Sequence, residues 1–284
     1  MTSISAALPV TRLSLREAVS RRLVLIGLLI SAAFLLLFAV GFNALYSRVA
    51  ADTDPTQVAF AATLVTVLGL YIVRFLAALL AIFLSSSAVA TEIDSGVLHA
   101  VLARPLSRTS WLAQRWLAFV GVTVGYVALM TLSVLAIANG IADYAPVSVS
   151  RAIAVMALEL AVLLSVGLLT STTWSSVTSG VVTFSLFGVA WLAGIIELVG
   201  DQVRNEMMQL IGIGTSLVIP SDALWRGASF YLQSPSVLVL NRQAGASTPF
   251  TGVAPPTTTL IVWSVFYAVC LLAIAAWRLR RRDI

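Results

Sequence analysis

The chain has 284 residues, 60% of them hydrophobic and only 10% charged, with a formal net charge of +5. A water-soluble domain carries roughly 25% charged residues to cover its surface, so the composition excludes a soluble globular fold and predicts an integral membrane protein. All 17 basic residues are Arg; without a lysine the chain has no Walker A phosphate site and no Schiff-base chemistry.

The first 22 residues contain Pro9, Arg12, Arg16, Arg21 and Arg22, and Ser14 with Glu17 fits a capping box. They are expected to form an amphipathic elbow helix along the membrane surface; the alternative is a charged flank that only sets topology. A span needs about 20 apolar residues. Uncharged 23–47 is the first expected span, and 58–90 holds the second, with Arg74 as its one charge. A cytosolic loop, 91–111, precedes the third span at 112–142. There Gly121-x-x-x-Gly125 is expected to permit close helix approach.

The fourth span, 151–170, contains Glu159, and the polar run 171–176 separates it from the fifth at 177–198. Region 199–256 lies on the outer side and is not simply hydrophilic; a covered surface loop is one reading of it. Within it, 207–219 is too short to cross, and Pro220-Ser221-Asp222 resembles a helix start. The sixth span is 257–277, followed by the tail 278–284. All nine prolines fall outside the six expected spans, as the cost of Pro in a helix interior requires. The expected fold is an all-α polytopic membrane protein in one domain.

Eleven of the 17 arginines fall in the N-terminal segment, the stretch 92–115 that leads into the third span, and the tail. By the positive-inside rule both termini are cytosolic, which in a bacterial cell means the inner membrane. Arg74 and Glu159 are each costly in hydrocarbon, where insertion scales give about 2.5–3.5 kcal/mol for Arg, Lys or Asp. They are expected to face the bundle interior, water or each other, with Arg74 nearer the cytosolic half and Glu159 nearer mid-depth, a placement that leaves a direct pair open. A single His (His99) and a single Cys (Cys270) offer neither a metal cluster nor an internal disulfide. No catalytic or metal-binding residue and no nucleic-acid surface is expected.

The loop before the third span is more than a connector. Ile93, Val97, Leu98, Val101 and Leu102 fall on one half of a short helix at 100° per residue, although Asp94 interrupts the first turn. Arg104-Pro105 ends that helix, and Ser107 can cap the next. Gly96 permits close approach by another backbone. These features suit a docking element for a cytosolic partner.

Glu92-x-x-x-Gly96-x-Leu98, then Leu102-x-x-Pro105-Leu106-Ser107-Arg108, resembles the cytosolic-loop signature of the permease subunits of ATP-binding cassette (ABC) exporters of the type 2 family. The sequence departs at Val97, where Thr is usual, and at Gln114-Arg115, where Gly-Lys is usual. The resemblance implies that this loop is a coupling helix seated in a groove on a separate ATPase subunit, which carries ATP and Mg. It also implies short outer helices between spans five and six. One six-span chain offers half of a pathway, so a second permease copy, identical or not, is expected. The apolar spans suit a lipid, drug or other amphiphile as substrate. The competing expectation is a membrane scaffold or assembly factor that moves nothing.

Overall fold

A computed structural model describes residues 22–52, 54–89, 108–244 and 250–281. The expected elbow and Glu92, Gly96, Leu98, Leu102, Pro105 and Ser107 lie outside the described residues. Nine helices follow in order among the described residues. These are α1 (Arg22–Asp52), α2 (Pro55–Ser86), α3 (Arg108–Ala142), α4 (Val149–Ser171), α5 (Ser176–Gln202), α6 (Glu206–Val218), α7 (Ser221–Leu232), α8 (Pro235–Ala244) and α9 (Thr258–Arg281).

Six of them, α1 to α5 and α9, are long and apolar enough to cross a membrane. Most extend past the ends that apolar length alone assigns, because polar residues cap and continue them. Asp54 caps α2 by accepting from the Thr56 backbone N–H at 2.8 Å, a bond that holds its carboxyl below the usual carboxylate range. Pro55 occupies the first turn of α2, where its missing N–H costs nothing. Helix α6 joins α7 at a bend of 96°, and Pro220, which cannot continue a helix, sits at that break.

Helix α4 is the centre of the bundle and touches α2, α3, α5, α7 and α9. Its apolar residues run all round the helix, which suits burial on every side. Helices in lipid gain little from hydrophobic burial against one another and associate through close packing and hydrogen bonds. Both occur here. A Cβ on Gly69 would overlap the Phe38 ring, and one on Gly167 would overlap Ser85. Ser31 and Tyr126 hydroxyls join α1 to α3 at 2.5 Å. The Trp116 indole N–H donates to Ser165 Oγ at 3.1 Å, joining α3 to α4. Thr170 bonds Ser179 and Thr183 across the α4–α5 turn.

The bundle has two chemically different ends. At one, Arg278 donates to Thr173 Oγ1 and Arg280 to Thr109 Oγ1. At the other, the α3–α4 connection pairs with the end of α7: Val147 N–H donates to Gln233 O and Ser148 N–H to Tyr231 O. The buried Tyr144 hydroxyl donates to Leu232 O at 2.5 Å, and burial pushes that phenol above its ordinary range. Helices α6 and α7 belong to this second end.

Candidate functional site

Arg74 on α2 and Glu159 on α4 form one buried ion pair. Arg74 lies twelve residues before Ser86 and Glu159 twelve before Ser171, about 18 Å along each helix. Arg74 lies in the half of α2 nearer Ser86 and Glu159 near the middle of α4, and the two side chains meet, the direct pair that the sequence leaves open. Arg74 Nε–H donates to Glu159 Oε1 at 2.8 Å, and the two side chains are 2% and 1% exposed. The Arg74 guanidinium lies among three rings, 5.4 Å from Tyr71, 5.2 Å from Phe187 and 5.4 Å from Trp225. Such faces attract a cation.

Helix α7 extends this pair into a series. Arg74 Nη2 donates to Ser221 O at 3.2 Å, and Nη1 stands 3.9 Å from Asp222 Oδ1. Asp222 Oδ2 is 3.3 Å from Arg226 Nε one turn later, and Arg226 Nη2 donates to Glu197 Oε2 on α5 at 2.6 Å. Charges of alternating sign thus run Glu159, Arg74, Asp222, Arg226, Glu197, from the middle of the bundle to its end. Gly194 makes the approach of α7 possible, because a Cβ there would overlap the Asp222 carboxylate. Gly212 gives the same close approach between α6 and Glu197. The sequence marks Asp222 and Arg226 only as charges outside the spans. Their i,i+4 spacing on an amphipathic helix was the available signal.

The series ends in a cavity of about 690 Å³ between α5, α6, α7, the segment 250–257 and the start of α9. Glu197, Asp201, Gln209 and Arg226 supply its polar side, with Leu198, Ile213, Val253, Pro255 and Leu260 among its apolar lining. Among the described residues no group of His, Cys, Asp and Glu could hold a metal ion.

The other expected site residues fare differently. Gly121 and Gly125 lie on an exposed face of α3, and a Cβ on either would meet nothing within 4 Å. They therefore mark no close contact with any described residue; Gly69, Gly167 and Gly194 do. Arg108 opens α3. Trp116 bonds Ser165 within the bundle. Trp263 donates to Leu217 O at 3.1 Å, tying α9 to α6. Trp277 is half exposed, with the Arg281 guanidinium 4.3 Å from its ring centre. Neither a protein-family model nor a curated protein matches the sequence.

Proposed function

We propose that this chain is the membrane-spanning permease subunit of an ABC transporter. It exports a hydrophobic or amphiphilic substrate, driven by ATP hydrolysis on a separate nucleotide-binding subunit. The observation that carries the reading is the loop signature from Glu92 to Arg108, placed between the second and third apolar helices. Six helices of spanning length and the bent α6–α7 pair between the fifth and sixth support it.

In this reading segment 92–102 docks on the ATPase, and displacement there passes directly into α2 and α3. Those helices pack against each other and against α4. The ion series through Arg74 and Asp222 then joins the moving core to α7. A second permease copy completes the pathway, ATP and Mg remain on the ATPase, and both termini face the cytosol from the inner membrane.

The experiment is reconstitution in lipid vesicles with the co-purifying ATPase, using a fluorescent amphiphile as cargo. ATP-dependent accumulation on the side away from the ATPase supports export. A stable complex that hydrolyses ATP but moves no amphiphile overturns the assigned cargo. A chain that co-purifies with no ATPase supports the scaffold alternative.

A further inference from the structure

The cavity beside Arg226 has an unbalanced charge. Arg74 offsets Glu159, and Arg226 offsets Asp222, which leaves Glu197 sharing a guanidinium already engaged. Asp201 also lines the cavity and makes no ion pair with any described residue. Glu197 and Asp201 stand four residues apart on α5, so they share a helix face. Both lie near the C-terminal end of α5, where the helix carbonyls add negative potential. The cavity therefore favours a positive guest.

Its wall is held in place without a ligand. Trp225 Nε1–H donates to Phe250 O at 3.1 Å, Gln233 Nε2 to Gly252 O at 2.8 Å, and Gly252 N–H to Ser229 Oγ at 2.8 Å. Gly227 lies against Pro256 and Gly252 against the Arg226 carbonyl so closely that a Cβ on either would collide. A preformed wall lowers the cost of ordering a bound molecule. The volume of about 690 Å³ falls within the usual span of small-molecule sites, about 300–1,000 Å³.

From this we infer that the cavity binds a protonated amine with an apolar body. The ammonium lodges between Glu197 and Asp201, and the body lies against Leu198, Ile213, Val253 and Leu260. An anion finds no free cation: Arg226, the one basic residue among the described lining, is 2.6 Å from Glu197 and 3.3 Å from Asp222. A quaternary ammonium is the poorer guest. No aromatic ring is among the described lining, and such ions are held by aromatic faces, whereas an N–H donor bonds a carboxylate directly. This inference stands independently of the transport reading, since binding is measured on the permease chain alone.

The test is calorimetric titration of octylammonium into the full chain in phosphatidylcholine nanodiscs, with empty nanodiscs subtracted. Saturable binding is expected. Asp201→Asn, at an exposed position without an ion pair, should weaken it about tenfold, as loss of one charge-assisted hydrogen bond implies. Ala254→Trp, which fills the cavity without changing its charge, should abolish it. Octyltrimethylammonium should bind more weakly, and octyl sulfate should show no saturable binding. Octyl sulfate binding as well as octylammonium would overturn the inference. So would undiminished octylammonium binding in both variants, or no binding above that of empty nanodiscs.

Discussion

Arg74 Nε–H donates to Glu159 Oε1 at 2.8 Å, so the two charges deepest in the bundle are one ion pair that ties α2 to α4. Removing one partner of a buried pair typically costs about 3–5 kcal/mol, because the other is left uncompensated. Arg74→Met should be the more damaging change, since it strands Glu159 and leaves Asp222 with Arg226 alone. Glu159→Gln retains a side-chain carbonyl for Arg74 and leaves Asp222 to balance it, so its cost should be smaller. Unfolding in mild detergent, followed by tryptophan fluorescence, measures the order. Wild-type stability in Arg74→Met would contradict the arrangement.

Arg226 and Glu197 are each about a quarter exposed, and solvent screens such a pair. A double-mutant cycle with Arg226→Gln and Glu197→Gln should give a small but measurable coupling energy, about 0.2–1 kcal/mol. A coupling near zero would mean that this contact does not hold α7 to α5.

Gly167 admits Ser85 where a Cβ would stand 2.7 Å from the Ser85 Cβ. Rotating the hydroxyl cannot relieve that contact. Gly167→Ala should cost about 1–3 kcal/mol, the usual range for overpacking, and Ser85→Gly should restore part of it. Gly180→Ala is the control, because its nearest neighbour would be 3.5 Å away. Equal thermal stability of the Gly167 and Gly180 variants in detergent would contradict the α2–α4 packing.

The two ends of the bundle should label from opposite sides of the membrane. In a Cys270→Ala background, a cysteine at Ala145 is expected to react with an impermeant maleimide from outside. One at Ser95 or Ser175 should react only from the cytosolic side. Ala145 and Ser175 are both exposed and lie at opposite helix ends. External labelling at Ser175 would reverse the orientation drawn from the arginine asymmetry.

Much of the helical layout is legible from composition, because in lipid the cost of an unsatisfied backbone dominates every local preference. Apolar length finds the six long helices, and Pro220 correctly marks the start of α7. Tertiary partners are less legible. The cost of burying Arg74 and Glu159 can be read from the sequence, but their meeting depends on the rotation of α2 and α4 about their axes. The pair Gly121 and Gly125 shows the reverse: its spacing suggests a tight contact, yet no described residue meets it. Gly167 and Gly194, which do admit neighbours, belong to no such spacing. Asp222 and Arg226 look like ordinary loop charges until α7 folds back against α5.

The most direct measurement is ATP hydrolysis in the tagged chain purified from its native membrane, compared between wild type and Leu98→Asp. The chain has no lysine and so no Walker A site; in the proposed complex hydrolysis belongs to a bound partner. A buried apolar anchor at an interface is commonly worth about 2 kcal/mol or more. Vanadate-sensitive hydrolysis should therefore accompany the wild-type chain and fall at least about tenfold in Leu98→Asp, while the variant still inserts and binds octylammonium. No hydrolysis with the wild-type chain, or equal hydrolysis in both, would contradict the proposed coupling to an ATPase.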